Sequence, residues 1–267
     1  MFKIREIKPK IGFTGSDRQG ILDDLDFATK NKFDYYEISS EGVNYSLKPK
    51  FIKQIQKIIK ENNISLILHI PYFLPIASLI PEISNAALKF VKKEILLASK
   101  LGAKKITIHS SDKEVPRIKT AIEKNIKMLI KNLKEVVIFG EKYGIKIGLE
   151  NSWTPERICK TAEELLSITN FVKGLGVIFD TGHANAIGLD CVKYFKKVRN
   201  RVINVHIHDN NGKYDQHNVI GEGNINFKAL LKECKNSKYY GPFILEVFPH
   251  KNVLKCRERF LNIWNQI

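Results

Sequence analysis

The segment 205–224 concentrates side chains that can bind metal ions or transfer protons. It reads VHIHDNNGKYDQHNVIGEGN and holds three of the chain's seven histidines together with Asp209 and Asp215. A solvated loop needs polar side chains, but it does not need so many imidazoles. Neutral imidazole and carboxylate oxygens are the ligands that Zn²⁺, Mn²⁺ and Fe²⁺ take in proteins. The composition of this segment therefore predicts that it supplies ligands to a divalent metal ion.

The remaining candidate side chains lie at the ends of short apolar runs. These residues are His69, His109, Glu150, Asp180, His183 and Glu246, and the segment above adds His206, His208, Asp215 and His217. Six of the seven histidines belong to this set, and only His250 lies beyond it. Imidazoles and carboxylates that converge without a cation carry high costs of desolvation and repulsion. We therefore predict a divalent metal cluster where these ends meet.

Eight short apolar runs predict the strands that position these side chains. They are rich in β-branched residues, as strands buried on both faces are, and they span residues 10–16, 35–41, 65–72, 105–111, 146–152, 175–184, 202–210 and 241–248. Helical spacing occurs between them over 49–62, 86–102 and 117–143, with Gly102 as a C-cap. Strand–helix repeats without a linker predict one domain over residues 1–267, of the α/β class, folded as a (β/α)₈ TIM barrel. In this fold the active site forms at the C-terminal ends of the strands, where these polar residues fall.

Charge and cysteine content narrow the functional classes. The net charge is +16, which favours polyanionic partners, although a lysine-rich composition at solvent-facing helix positions explains it equally well. The four cysteines are scattered, which argues against a disulfide framework or a thiolate metal site and indicates small core residues. No run of about 18 apolar residues and no secretory pattern is present, so we expect a cytoplasmic protein without membrane contact. A monomer is the default expectation for its oligomeric state.

A glycine-rich turn closes the same segment. GEGNINF at 221–227 leads into a helix that we expect to begin near Asn226 or Phe227. Gly221 and Gly223 can take positive φ and let the backbone approach a ligand closely. Such a turn at a helix N-terminus can bind an anion such as phosphate. We interpret both glycines as substrate-binding, and a simple tight turn is the alternative.

These motifs resemble those of the xylose isomerase-like barrel superfamily and, within it, those of endonuclease IV, the zinc-dependent apurinic/apyrimidinic endonucleases. The shared motifs are FDTGHA at 179–184, DQH at 215–217, GEGNI at 221–225 and ILE at 244–246. The resemblance covers the chain from about residue 10 to residue 250. It implies a barrel enzyme that cleaves DNA phosphodiester bonds at abasic or damaged sites.

The resemblance also implies a zinc centre of up to three ions, with Mn²⁺ or another divalent ion as alternatives. His69, His109 and Glu150 match the first zinc site, Asp180, His206 and Glu246 match the second, and His183, Asp215 and His217 match the third. Glu150 would bridge two ions, and Glu150 and Glu246 would be the catalytic residues. Tyr72 matches a tyrosine that inserts into DNA. Tyr72 and Trp153 are thus candidates for stacking on bases, although both could instead pack at the barrel rim.

A second interpretation is a single-metal sugar or sugar-phosphate isomerase or epimerase of the same superfamily. Such enzymes share Glu150, Asp180, His206 and Glu246. The Asp-x-His motif at 215–217 favours three metals, as does the lack of an arginine between Arg201 and Arg257, where isomerases often carry one that contacts substrate. The segment 39–46 lacks the arginine of the family's DNA loop, so the candidate substrates are damaged or abasic DNA and a small phosphorylated molecule. A barrel that binds such ligands without catalysis is a third interpretation.

Overall fold

Eight parallel strands form the centre of the molecule. The computed structural model describes residues 8–15, 20–40, 47–110, 118–154 and 158–267. The strands are β1 (Ile11–Thr14), β2 (Tyr35–Ser39), β3 (Ser65–His69), β4 (Lys105–Ile108), β5 (Lys146–Glu150), β6 (Gly176–Asp180), β7 (Val202–Ile207) and β8 (Phe243–Leu245). They pair in sequence order, and β1 also pairs with β8, which closes the barrel. The predicted (β/α)₈ TIM barrel is confirmed, with one strand inside each predicted apolar run.

Helices alternate with these strands around the barrel. In the described part of the chain they are α1 (Ile21–Lys30), α2 (Pro49–Asn62), α3 (Pro81–Leu101), α4 (Lys119–Lys142), α5 (Ala162–Thr169), α6 (Thr181–Ala186), α7 (Cys191–Val198), α8 (Phe227–Asn236) and α9 (His250–Asn265), with a short 3₁₀ helix at Arg199–Arg201. The α3 helix begins earlier than the predicted residue 86, because Pro81 takes the first helical position, where proline is favoured. It ends at Gly102, whose φ of 85° makes it the predicted C-cap.

The helix predicted over 117–143 is α4, and residue 117 lies outside the described residues. The α8 helix begins at Phe227, as expected, and the side chain of Asn226 caps it by accepting a hydrogen bond from the amide of Ala229. The short α6 helix follows β6 directly, with Asp180 as its N-cap. The metal-ligand candidates of the DTGH motif therefore span a strand end and the first turn of a helix.

Two glycines in neighbouring strands make room for large apolar side chains. A Cβ atom at Gly148 would lie 2.3 Å from Ile178 Cδ1, and one at Gly176 would lie 2.7 Å from Ile203 Cγ2. Ile178 and Ile203 are both buried. Close packing of this kind fixes the spacing of β5, β6 and β7, because cores tolerate little change in volume. This apolar packing therefore fixes the relative positions of the polar residues at the C-terminal ends of these strands.

The cysteines and the helices agree with two further expectations. All four cysteines are buried and unpaired, as small core residues are. No helix among the described residues is long and apolar enough to cross a membrane. Most of the segment 39–46, which the resemblance relates to a DNA loop, lies outside the described residues.

Candidate metal centre

The C-terminal ends of the strands bring the predicted ligands to one face of the barrel. His69, Glu150 and Asp180 are the last residues of β3, β5 and β6, and His109 and Glu246 directly follow β4 and β8. Parallel strands in a closed barrel all end at the same face, so the order of these residues along the chain becomes a ring around the barrel axis. The ligands fall into three groups of atoms that face one another.

The first group joins β3, β4 and β5. His109 Nε2 lies 3.3 Å from His69 Nε2, and Glu150 Oε2 lies 3.1 Å from His109 Nε2 and 3.5 Å from His69 Nε2. All three side chains are buried. Two imidazole nitrogens and one carboxylate oxygen at this spacing can enclose a single divalent ion.

The second group lies beside the first and shares Glu150 with it. His206 Nδ1 is 2.9 Å from Glu150 Oε1, 3.2 Å from Glu246 Oε1 and 3.8 Å from Asp180 Oδ2. The four side chains are buried, and their ligand atoms all lie within 4.8 Å of one another. Glu150 therefore presents one oxygen to each of the two groups.

The third group combines the DTGH motif with the Asp-x-His motif. Asp215 Oδ2 lies 3.3 Å from His183 Nε2 and 3.2 Å from His217 Nε2. The opposite nitrogens of both rings are held by backbone carbonyls, since His183 Nδ1 lies 2.8 Å from Asn151 O and His217 Nδ1 lies 2.8 Å from Glu246 O. A carbonyl only accepts hydrogen bonds, so each Nδ1 carries a proton, and each Nε2 is the nitrogen that can bind a metal ion once its own proton, shared with Asp215, is displaced.

Glu37 is a buried member of the centre that the sequence analysis missed. Its Oε2 lies 3.0 Å from His206 Nε2, on the side of the ring opposite the second group. The hydroxyl of Thr107 donates to Glu37 Oε1 at 2.7 Å, and the hydroxyl of Thr14 lies 3.0 Å from Oε2. A carboxylate at Nε2 favours the tautomer in which Nδ1 is the free ligand. The signal in the sequence is one charged residue in the middle of a buried strand, YYEIS, rather than at its end.

Burial and mutual charge shift the pKa values of the ligands in opposite directions. Burial favours the neutral form of Glu150, but the positive charge of His206 outweighs it and holds the pKa of Glu150 well below its usual range. Burial also disfavours charge on His69, yet its contact with Glu150 raises the pKa of His69 to about 9. At His109 burial dominates and lowers the pKa to about 4. Without metal ions His69 thus carries a second proton near neutral pH, which metal binding must displace, whereas His109 is already neutral.

Two buried oxygens show that the donor set fits metal ions. Glu150 Oε2 and Asp215 Oδ1 accept no hydrogen bond from the described residues. A buried carboxylate oxygen without a partner is costly, and Glu150 Oε2 faces two imidazole nitrogens. Imidazole nitrogens and carboxylate oxygens suit Zn²⁺ and Mn²⁺, and the buried cysteines lie outside the clusters of candidate ligands. The identity and number of the ions stay predictions.

Aromatic side chains lie at the mouth of the centre. Tyr72 is 45% exposed and its ring lies 6.4 Å from that of His109. Trp153 is half-buried. Phe248, which the sequence analysis did not single out, is 41% exposed, with its ring 6.4 Å from that of His217. Tyr72 and Phe248 thus flank the first and third groups, respectively, where they can meet a substrate.

The glycine-rich turn, whose glycines we predict to bind substrate, holds a carboxylate of the protein itself. The amides of Gly221 and Gly223 donate to Asp209 Oδ2 at 2.8 and 3.0 Å, and the amide of Ile225 donates to Oδ1 at 3.2 Å. The carboxylate of Asp209 is therefore the anion that this turn holds. Gly221 takes a φ of 81°, and a Cβ at Gly223 would lie 2.2 Å from Asn210 O. The two glycines are needed to close the turn, and their amides are already occupied.

The chain is similar to a protein family, to individual proteins and to solved structures. Residues 25–262 match the family of xylose isomerase-like TIM barrels. An uncharacterised protein of Methanocaldococcus jannaschii is 31% identical over 259 residues, which is 93% of this chain and 87% of that protein. A protein of Acholeplasma laidlawii named probable endonuclease 4 is 24% identical over 253 residues, covering 87% of this chain and 84% of its own length. Among solved structures, a D-tagatose 3-epimerase-like protein superposes with a TM-score of 0.86 at 30% identity, over 96% of this chain and 98% of that one.

Proposed function

The chain belongs to the family of xylose isomerase-like TIM barrels, and on that premise we propose that it is a metal-dependent phosphodiester hydrolase that cleaves DNA at abasic or damaged sites. The observation that carries this proposal is the third group of ligand atoms. A single-metal site needs only Glu150, Asp180, His206 and Glu246. In such a site His183 would bind a substrate hydroxyl, but Asp215 and His217, whose facing atoms lie 3.2 Å apart, would have no role.

The ligands supply the positions at which hydrolysis needs positive charge. Divalent ions held by the three groups would neutralise the phosphate and lower the pKa of a water molecule, which phosphodiester hydrolysis requires. Glu150 joins the first and second positions because its two oxygens face different groups. His217, at 32% exposure of its side chain, is the most exposed of the predicted ligands. An ion held by His183, Asp215 and His217 would lie toward the mouth and would stabilise negative charge on the leaving group.

Glu246 can hold a proton beside the reacting centre. Burial raises its pKa even though His206 carries positive charge nearby. Its Oε1 lies 3.2 Å from His206 Nδ1 and 3.2 Å from the hydroxyl of Thr14. A carboxyl group with a raised pKa can exchange a proton at a pH where an ordinary glutamate is fully ionised. In the metal-free protein Glu246 therefore binds a proton more readily than an ordinary glutamate, and an ion bound there would displace it. The catalytic role proposed for Glu246 in the loaded enzyme rests on its position beside His206.

The substrate class rests on the relatives and on the exposed rim. A relative that matches most of this chain is named probable endonuclease 4. The exposed ring of Tyr72, near His109, and the half-buried Trp153, three residues after Glu150, would stack on bases, and stacking of this kind contributes about 1–3 kcal/mol per base. The net charge of +16 favours a polyanionic substrate. Each of these observations favours DNA over a neutral sugar.

The test combines metal content with turnover of a duplex that contains one abasic site. We expect about three ions per chain, mostly zinc, by elemental analysis of protein purified without chelators. Glu150→Gln and Glu246→Gln should each lower the rate of strand cleavage by about 10²-fold or more, the usual contribution of such groups. The matched control is Glu94→Gln, because Glu94 is a buried glutamate that contacts Ser40 instead of an imidazole. Unchanged cleavage in both glutamine variants, or one ion per chain in the wild type, would overturn the proposal.

A second candidate function is epimerisation or isomerisation of a sugar or sugar phosphate. It is favoured by Glu150 and Glu246, whose oxygens lie 2.9 and 3.2 Å from His206 Nδ1 and which could exchange protons with a substrate carbon. The likeness to a D-tagatose 3-epimerase-like protein at 30% identity also favours it. One bound ion, turnover of a ketose and no affinity for DNA would establish this function in place of the first.

A further inference from the structure

His208 occupies a site that the proposed hydrolysis leaves unexplained. It follows β7 directly and is fully buried. Its ring stacks on that of His217 with a centroid distance of 4.0 Å and an interplanar angle of 14°. On another side lies the backbone of Gly182, where a Cβ atom would come within 1.8 Å of His208 Cε1. The ring is therefore seated in a space that exists only because residue 182 has no side chain.

The ring directs one nitrogen at two carboxylates. His208 Nε2 lies 3.1 Å from Asp180 Oδ1 and 3.5 Å from Asp215 Oδ1. Asp180 belongs to the second group and Asp215 to the third; Asp180 Oδ2 also lies 3.2 Å from His208 Nε2, whereas Asp215 turns its Oδ2 toward His183 and His217. Among the described residues, no other side chain uses a single nitrogen to contact one carboxylate of the second group and one of the third group within 4.0 Å.

We propose that His208 is a positioning residue that couples the second and third metal positions by directing its Nε2–H at Asp180 and Asp215. The inference rests on the proposed three-metal function. Asp180 has a second anchor, since its Oδ1 accepts a hydrogen bond from the amide of His183 at 2.6 Å. Among the described residues Asp215 Oδ1 accepts no hydrogen bond, and its ion-pair contact is the 3.5 Å approach of His208 Nε2. Loss of the His208 N–H should therefore free Asp215 to move more than Asp180. The affinity for the third ion should fall more than the affinity for the second.

The stacking of His208 on His217 also holds a predicted ligand of the third ion in place. His217 is held by Glu246 O through Nδ1 and faces Asp215 through Nε2. A ring of the same shape at position 208 keeps this stacking, whereas only a side chain with a donor at the position of Nε2 keeps the contact with the carboxylates. Phenylalanine preserves the first property and glutamine preserves the second, so the two substitutions separate packing from positioning.

The experiment measures zinc binding by metal-free protein, using competition with a chelator, for the wild type, His208→Phe and His208→Gln. We expect three ions in the wild type. His208→Phe should bind the weakest of them about 10- to 100-fold less tightly, the usual effect of losing a partner of a ligand, while His208→Gln stays within a few-fold of the wild type. His250→Phe is the matched control, since His250 pairs with Asp24 at 2.7 Å, outside the three groups. It should bind zinc like the wild type.

Three other outcomes would overturn the role of His208. Three ions in the wild type with no change in His208→Phe would overturn the role of His208 and leave the proposed function standing. Equal losses in His208→Phe and His208→Gln would also overturn it, because His208 would then be a ligand. A single ion in the wild type would overturn the three-metal function and this inference together. If His208→Phe does not fold, as judged by circular dichroism, His208→Leu replaces it with the same expectations.

The seat of the ring gives an independent measurement on the same protein. In the wild-type background, Gly182→Ala should lower the affinity for the third ion, because the new methyl group must displace the His208 ring. In a His208→Ala background the methyl group meets an empty space, and the same substitution should have little further effect. Equal losses in both backgrounds would contradict the coupling of Gly182 to His208.

Discussion

Glu37 sets the orientation of His206, and its effect can be measured separately from catalysis. Its carboxylate lies 3.0 Å from His206 Nε2, so that Nδ1 faces Glu150 and Glu246. In Glu37→Gln a neutral amide oxygen, which accepts a hydrogen bond more weakly than a carboxylate, stabilises the proton on Nε2 less. We expect zinc affinity at the second position to fall by about 10- to 100-fold, measured by chelator competition. Glu94→Gln, which also removes a buried carboxylate, should leave the affinity unchanged, and equal effects of the two variants would contradict the role of Glu37.

The raised pKa values of His69 and His217 predict a pH dependence of the metal-free protein. Burial opposes protonation of both rings, but contact with Glu150 and Asp215 raises each pKa to about 9 from an ordinary value of 6.5. A group whose pKa rises on folding stabilises the fold fully below 6.5 and loses that contribution as the pH rises through 9. The melting temperature in the presence of chelator should therefore fall between pH 6.5 and 9.

Bound zinc reverses this trend. Ligand imidazoles in the zinc form carry no proton on the coordinating nitrogen, so zinc binding becomes more favourable as the pH rises and fewer protons must be displaced. The stabilisation by zinc, taken as the difference in melting temperature with and without the ion, should grow from pH 6.5 to 9. A metal-free protein whose melting temperature rises over this range would show that these imidazoles are not protonated.

At the scale of elements, the loop between β7 and α8 is organised around one carboxylate. Asp209 is fully buried and accepts hydrogen bonds from the amides of Gly221, Gly223 and Ile225. It also pairs with Asn218 through two backbone hydrogen bonds. The loop enclosed by these contacts carries Asp215 and His217, so the third metal position depends on a residue that touches no ligand atom of its group.

Asp209→Asn tests this dependence. The amide nitrogen of asparagine cannot accept the hydrogen bonds that one carboxylate oxygen accepts, so the loop should loosen and the third ion should bind about 10- to 100-fold less tightly. The first and second ions should change by no more than a few-fold in a zinc titration. Asp190→Asn is the control, because Asp190 also accepts two backbone amides, at the start of α7. Loss of all three ions in Asp209→Asn would indicate a general effect on folding instead.

At the scale of the whole molecule, the net charge of +16 predicts a different salt dependence of binding for each of the two candidate substrates. If the substrate is DNA, the logarithm of the binding constant should fall linearly with the logarithm of the salt concentration. The loss is about 10³-fold between 50 and 200 mM salt for six neutralised phosphates. Fluorescence anisotropy of a labelled abasic-site duplex measures it, with an undamaged duplex as the comparison. The KM for a neutral ketose should not depend on salt, so turnover of a sugar with salt-independent KM would favour epimerisation.

The sequence by itself determined the barrel and the order of the polar residues around its rim. Both follow from local properties, since apolar periodicity defines the strands and a residue at the C-terminal end of any parallel strand lies on the same face. Residues such as His69, Glu150 and Asp180 therefore come together whatever the details of packing. The sequence also indicated the helix that begins at Phe227 and the C-cap at Gly102.

Only the tertiary structure decided which atoms face one another. Glu37 lies in the middle of β2, and its contact with His206 on β7 exists because closure of the barrel brings these strands together across its interior. Gly221 and Gly223 fit an anion-binding turn by sequence, but the chain folds the carboxylate of Asp209 onto their amides. The seat of His208 on Gly182 likewise joins residues far apart in sequence. Contacts of this kind depend on side-chain packing in three dimensions, which no local pattern encodes.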